Sequence, residues 1–432
     1  MAIHGSQLHS AQAADRSPVD AQAAGAQSAA YLPLYLVAAY FGQGVAQHFC
    51  LIAQPLEYFL LKNEGYNAAQ VAWFLSILMI PWIVKPVFGI VSDFLPLWGT
   101  RRRSYLLLAA VTASLGFLAM ASLLTQDHHH MMVTLISLTI TSTAMALSTV
   151  VLCALVAAES HRQPARGRTL FALQAGAYYA ASIGSGLLGG YLCQKFHPVD
   201  ALRGAAFLCS VVTAAVFLFS LRLEETAVTA RQSLRSYARV ILATVRSRKF
   251  QGVAAFTFLW NLSPSFGTPL YFYFTQHLKF DQGFIGQLAA INSFGMLCGA
   301  GVFRLLALVQ PNHRRQAVIA VLAGVASNLG YLLCNDGFSA SVLEFARGLT
   351  NMVAILTIYG YAADVCPKRA TATTIGLVIA VYNIGSQLGA IIGANVFTSL
   401  AHGMIQPLAV LSAVFTAACL LAVPFLPKPR GR

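Results

Sequence analysis

From Tyr31 to Leu426 the sequence returns again and again to apolar runs of about 20 residues, such as SYLLLAAVTASLGFLAMASLL from Ser104 to Leu124. A run of that length is what a helix needs to cross the ~30 Å hydrocarbon core of a bilayer. Strands of a closed barrel would instead alternate apolar and polar residues over segments of about ten. Composition agrees, with 57% hydrophobic and 10% charged residues and a mean hydropathy of +0.66, whereas a soluble domain is about a quarter charged. A soluble enzyme and a disordered chain are therefore excluded. A secreted disulfide scaffold is excluded too, because the eight cysteines are isolated and mostly lie inside apolar runs.

The expectation is an all-α membrane protein with twelve transmembrane helices. They are predicted near 31–61, 70–92, 104–124, 132–158, 170–192 and 203–221, then 251–275, 284–308, 317–334, 340–364, 372–398 and 406–426. Residues 1–30, rich in Ala, Gln and Ser, lack the order of features of a signal peptide and are expected to be a disordered cytoplasmic tail. With the N-terminus inside, 21 of the 28 Lys and Arg residues fall in cytoplasmic segments, four fall outside and three lie within helices. That bias predicts both termini in the cytoplasm, in a cell (inner) membrane. It also accounts for the net charge of +14 without nucleic acid, because the basic residues are spread over every inner loop. The lipid bilayer is the implied partner.

Residues 222–250 form the longest non-apolar interval after the tail and divide the chain into six-helix halves at 31–221 and 251–426, with a short tail at 427–432. The halves echo one another. Glu159 precedes Ile183-Gly184-Ser185-Gly186 in the first, and Asp364 precedes Ile384-Gly385-Ser386-Gln387 in the second. Parallel halves of this kind are the architecture of major facilitator transporters, which bind substrate near the bilayer midplane between the halves.

The most distinctive string runs PWIVKPVFGIVSDFLPLWGTRRRSY from Pro81 to Tyr105. Pro81 and Pro86 each remove a backbone donor, Gly89 permits close helix approach, and Arg101, Arg102 and Arg103 hold the turn at an anionic leaflet. With Asp93 ending the second helix, these residues form a candidate gate. The string resembles the loop between the second and third helices of the major facilitator superfamily, lengthened by Phe94 to Trp98. More narrowly, it is similar to the signature of the folate-biopterin transporter family. A second stretch, Asp364-Val365-Cys366-Pro367 followed by Ala370 to Thr373 and Asn383-Ile384-Gly385, resembles that family's tenth-to-eleventh helix junction. Ser104 stands where many members have proline. The resemblance implies secondary active transport of a folate- or pterin-like organic anion by alternating access. Muropeptide permeases share part of the loop pattern, so another solute on the same fold is the alternative, followed by a non-transporting membrane receptor.

Charge within the bilayer marks the candidate site, because it costs at least ~2.5 kcal/mol per residue and persists where a polar cavity or a partner offsets it. Lys85, Arg304 and Arg347 lie within predicted helices. Lys85 has Asp93 eight residues on, about 12 Å of helix rise away and beyond direct pairing. Arg347 has Glu344 three residues earlier on the same face, and Arg304 could simply anchor a helix end. A cavity lined by these cations suits an anionic small molecule. Spacings of three and four place amides and aromatic residues on shared faces. Gln43 and Gln47 pair with His48 nearby, Gln174 pairs with Tyr178, and Asn383 pairs with Gln387. Gln47, His48, Tyr178, Trp260, Asn261, Asn383 and Gln387 are candidates to contact a flat ring, or serve as ordinary interhelical glue.

Glu344 and Asp364 are candidates for coupling to a co-transported proton, Glu344 first because its protonation would release Arg347. Glu57 and Glu159 also stand near helix ends. His128-His129-His130 lack the spacing of a metal site. With no phosphate-binding Gly-rich loop of the ATPase type, no paired catalytic set and no cofactor motif, the sequence points to a transporter rather than an enzyme.

Overall fold

The computed structural model describes residues 18–100, 102–125, 131–223, 225, 234–310, 312–365 and 371–427. It is helical throughout, with no strand among the described residues. The first predicted span is two helices, α1 (Pro18–Ala46) and α2 (Ala53–Lys62), and the second is α3 (Ala68–Ile83) and α4 (Lys85–Phe94). The next four are α5 (Arg103–Leu123), α6 (Met131–Arg162), α7 (Pro164–Lys195) and α8 (Pro198–Leu221). Beyond the connecting helix α9 (Leu234–Arg246), the seventh span consists of α10 (Arg248–Leu262), α11 (Gly267–Phe272) and a π-helical turn at Tyr273–His277. The remainder are α12 (Gln282–Val309), α13 (His313–Gly330), α14 (Gly337–Val365), α15 (Thr371–Asn395) and α16 (Gln406–Ala418).

Each of the twelve predicted segments is thus helical. Among the described residues, nine helical stretches are long and apolar enough to cross a membrane by length and composition. The first, fifth and seventh segments fall short because they are broken or richer in polar residues. Helix α1 begins at Pro18, ahead of the expected start at Tyr31, and the expected tail therefore contains helix. Its Ala- and Gln-rich sequence has high helix propensity. The interval 222–250 likewise carries α9 instead of a plain linker.

Three breaks depart from the continuous helices expected. Between α1 and α2 the chain turns at Gln47–Ile52. Helix α3 ends at Ile83 because Pro86 cannot donate to the Trp82 carbonyl, and Val84 adopts ψ 9° between α3 and α4. Between α10 and α11, Ser263 to Phe266 unwind around Pro264. The freed groups are satisfied by neighbours, as an apolar interior demands. Ser265 N–H donates to the Gly389 carbonyl at 2.9 Å, and the Ser412 hydroxyl donates to the Pro264 carbonyl at 2.7 Å.

The lengthened loop after α4 is a tight turn, with Trp98 at φ 48° and Gly99 at φ 76° between Leu97 and Thr100. The Ser104 hydroxyl donates to the Leu97 carbonyl at 2.6 Å, and Tyr105 donates to the Leu95 carbonyl at 2.8 Å. Ser104 thus fastens the inserted residues. One buried cluster joins Tyr35, Tyr105, Val151 and Leu170, all before residue 224, and another joins Phe256, Val321, Tyr361 and Val423, all after 249. The largest cluster spans both parts of the chain.

The helices of the two parts pack along much of their length, and the side-chain hydrogen bonds between them lie toward one end. Gly286 of α12 is so close to α7 that an added Cβ would lie 2.5 Å from the Gly186 carbonyl oxygen and 2.6 Å from Gly190 Cα. Among the described residues, side-chain pairings that join the parts include Gln54 with Gln282, Glu57 with Thr268, Ser182 with Ser293, Ser76 with Gln387, and Asn383 with the Trp82 carbonyl. All lie between mid-helix and the end opposite the arginine-rich turn. Toward the arginine-rich end, Gly176, Gly301 and Gly360 have open space around them.

Close packing at Gly286 yields a stability prediction. Gly286→Val should destabilise the detergent-solubilised protein by about 1–3 kcal/mol through overpacking, seen as a lower thermal unfolding midpoint. Gly301→Ala, which meets nothing within 4 Å, should leave the midpoint unchanged or raise it.

Candidate functional site

The helix breaks surround a cavity of about 620 Å³ between the two parts of the chain. His48 reaches it from the first break, Lys85 from the second and Ser265 from the third. Discontinuous helices of this kind place polar backbone and side chains at membrane depth, where transporter sites are built. Six predicted residues line the cavity, namely His48, Lys85, Glu344, Arg347, Asn383 and Gln387.

Lys85 is 8% exposed, and its Nζ sits 3.9 Å from the ring centroid of Trp82. No carboxylate lies within 4 Å of it among the described residues. A cation over an aromatic face gains about 0.5–2 kcal/mol, less than the cost of holding the charge at membrane depth. Lys85 is therefore a buried amine whose charged form is only partly stabilised by these contacts. Trp82 is itself fixed, because its Nε1 donates to the Ser142 hydroxyl at 2.9 Å. Ser142 in turn donates to the Leu78 carbonyl and shares a 3.3 Å hydrogen bond with His48 Nδ1.

Asn383 has a role that follows from proline chemistry. Its Nδ2 donates at 2.8 Å to the Trp82 carbonyl, the acceptor that Pro86 leaves vacant. One turn on, Gln387 Nε2 donates to the Ser76 hydroxyl at 2.5 Å. Both amides therefore latch α15 to α3 along one wall of the cavity.

Opposite stands a charged group already paired. Arg347 Nη2 donates to Glu344 Oε2 at 2.6 Å, and the Tyr331 hydroxyl donates to Glu344 Oε1 at 2.8 Å. Glu344 is buried, with 3% side-chain exposure, while Arg347 keeps 33% and its Nε has no partner. The pair faces the cavity with the arginine outermost.

Other predicted residues fall elsewhere. Trp260 and Asn261 line a smaller polar cavity of about 170 Å³, which shares Ser265, Arg347, Tyr382 and Ser386 with the larger one. Trp260 packs on Gly324, and Asn261 Nδ2 donates to the Thr257 carbonyl of its own helix at 2.8 Å. Gln47 and Tyr178 line neither cavity. Tyr178 donates to Gln47 Oε1 at 3.0 Å, and Gln47 donates to Gln43 Oε1 at 2.5 Å, so these residues glue α1 to α7. Arg304 is exposed on α12 and reaches neither cavity.

The side chains of Asp93 and Asp364, the whole of Arg101, and His128 to His130 lie outside the described residues. The rest of the arginine turn is engaged within the first part of the chain. Glu225 Oε2 accepts the backbone N–H groups of both Arg102 and Arg103 at 2.9 Å, capping α5. Arg102 Nη1 donates to the Ala154 carbonyl and Arg103 Nη2 to the Leu221 carbonyl. Sequence reasoning missed Glu225, Trp82, Gln54, Tyr271, Tyr359 and Tyr382. Trp82 could have been found from its place three residues before Lys85, on one helical face.

Solved structures and sequence relatives place this geometry. The fold is similar to the nucleoside transporter NupG, with a TM-score of 0.70 at 14% identity over 91% of this chain and 99% of that one. A D-xylose-proton symporter gives a TM-score of 0.71 at 11% identity over 93% and 99%. The chain is 25% identical over 405 residues to a folate-biopterin transporter of Synechocystis sp., covering 91% of this chain and 80% of that protein. It is 21% identical over 354 residues to folate transporter 2 of Plasmodium falciparum, covering 79% and 76%. Residues 43–426 match the BT1 family, and the chain belongs to that family.

Proposed function

We propose that this integral membrane protein is a secondary transporter of a folate- or pterin-like anion, working by alternating access between two six-helix halves. The observation that carries the reading is Lys85, a buried cation facing a cavity between the halves with no acidic partner among the described residues. A folate-like carboxylate surrenders hydration on entry at a cost of several kcal/mol, and a fixed cation offsets it. Trp82, Tyr359 and Tyr382 offer flat faces for a heteroaromatic ring. The names of the relatives from Synechocystis sp. and Plasmodium falciparum point to the same substrate class.

Tight packing at one end and open space at the arginine-rich end support an inward-facing state, since basic loops favour the cytoplasmic side. Both termini are then cytoplasmic, in a cell membrane. Glu344 is the candidate for proton coupling. Its carboxylate holds Arg347 at 2.6 Å, and protonation would release the guanidinium toward a substrate anion in the same cavity.

The substrate reading is tested by titrating purified protein with folic acid and with a neutral pterin. Lys85→Gln should weaken folic acid binding at least about tenfold, roughly 1.4 kcal/mol, and the neutral pterin much less. Equal losses for the two ligands would make Lys85 a structural residue. For coupling, Glu344→Gln in proteoliposomes should abolish accumulation of folic acid driven by a pH gradient while leaving exchange intact. Accumulation driven by pH alone in that variant would remove Glu344 from the coupling path.

A further inference from the structure

A carboxylate stands in the same cavity without a cation to pair with. Glu57 of α2 lines the cavity beside Thr268 and Tyr271 of α11, and no Lys or Arg lies within 4 Å of it among the described residues. It is not part of the Glu344 and Arg347 pair. An unpaired carboxylate repels an anion, so its presence in an anion-binding cavity requires a reason.

Position supplies one. Glu57 lies five residues from Lys62, where α2 ends, and Lys85 lies seventeen from Ala68, where α3 begins. By helix rise these are about 8 Å and about 26 Å from the end opposite the arginine turn, so the two charges stand roughly 18 Å apart along the axis. The cavity is therefore a dipole, negative toward the closed end and positive toward mid-depth. A ligand that satisfies both poles carries hydrogen-bond donors at one end and a carboxylate at the other.

The closed end also has the shape of a ring site. Tyr271 and Phe274 of the seventh segment line it with Glu57. Gln54, one turn before Glu57, is held away because its Nε2 donates to the Gln282 carbonyl at 2.7 Å and to Gln282 Oε1 at 3.0 Å. Tyr271 donates to the same Gln282 Oε1 at 3.2 Å. Gln54 Oε1 has no partner among the described residues, and the Glu57 carboxylate accepts from the Thr268 hydroxyl. With about four lone-pair sites, that carboxylate keeps acceptor capacity in the cavity it lines.

We propose that Glu57 recognises the 2-amino-4-oxopyrimidine edge of the ring, accepting hydrogen bonds from its exocyclic amino group and adjacent ring N–H, while Lys85 takes the carboxylate tail. Two parallel N–H donors match a carboxylate as a guanidinium fork does, and charge-assisted bonds of this kind are about twice as strong as neutral ones. The assignment rests on the folate- or pterin-type reading above. It fixes the direction in which substrate lies, ring toward the closed end.

Isothermal titration of the detergent-solubilised full chain tests it, using folic acid and its 2-desamino-2-methyl analogue. Wild-type protein should bind folic acid at least about tenfold tighter than the analogue, since a hydrogen bond to a charged group contributes about 1.5–3 kcal/mol. Glu57→Gln should erase that preference by weakening folic acid binding and sparing the analogue. Lys85→Gln should weaken both ligands and keep the preference, because both retain the carboxylates. Equal affinity of the two ligands for wild-type protein overturns the assignment without any variant, so poor folding of Glu57→Gln does not protect it. A Glu57→Gln protein that keeps the preference but loses pH-driven uptake also overturns it, leaving Glu57 as a proton site. Should wild-type protein bind neither ligand, the substrate reading itself fails, which is a distinct result from binding both equally.

Discussion

Pro86 has no N–H, so the carbonyl of Trp82 must find another donor in an interior where an unsatisfied polar group costs several kcal/mol. The donor is the side-chain amide of Asn383, 301 positions further along the chain. From that single requirement follow the break at Val84, the separation of α3 from α4, and a wall of the cavity formed jointly by the two parts of the chain. Lys85 is the residue at the break. Its Nζ lies over the ring of Trp82, whose carbonyl Asn383 holds. The cation and the inter-half latch thus share one residue.

If Lys85 takes the substrate anion as proposed, this sharing links binding to motion in physical terms. An anion that draws on Lys85 alters the balance at Trp82, and Trp82 is fixed from three sides, by Asn383 through its carbonyl, by Ser142 through its Nε1 and by Lys85 over its face. The contacts that would have to part for the closed end to open are of the same kind. Gln54 with Gln282 and Gln387 with Ser76 are neutral hydrogen bonds, each worth about 0.5–1.5 kcal/mol net. A handful of such bonds can be exchanged within a transport cycle, whereas a buried ion pair across the seam would resist separation. The buried ion pair among the described residues, Glu344 with Arg347, lies within one helix and need not break for the parts to move.

Fold class was legible in the sequence because a membrane-spanning helix requires a long apolar run and the basic residues mark one side. The second break could be anticipated from Pro81 and Pro86, and Lys85 and Arg347 stood out as charges in apolar surroundings. Other features were hidden for stated reasons. The break at Gln47–Ile52 carries no proline or glycine between those residues and depends on tertiary packing. Glu57 could be named from the sequence, along with Glu344 and Asp364, as an acid near a helix end, but its place in the cavity could not, because the breaks beside it turn it there. Asn383 and Gln387 stood out from their spacing as ring contacts or interhelical glue; they line the cavity, and the same spacing matches acceptors on α3. Arg304 shared the apolar surroundings of Lys85 but faces away from the cavity, because the glycine face of α12 packs against α7 and α14 and sets the helix rotation. The resemblance carried by Pro81 to Tyr105 reached the same family as the match over residues 43–426.

The central claim is that Lys85, exposed to the cavity by the break at Pro86, is the anchor for the substrate anion. An experimental structure of the protein with folic acid bound tests it most directly. The account predicts density for the ligand between the two halves, with a carboxylate oxygen within ~3 Å of Lys85 Nζ, the reach of a charge-assisted hydrogen bond. A ligand seated in the cavity with its carboxylates on Arg347 alone, and Lys85 still resting undisturbed on Trp82, would contradict it.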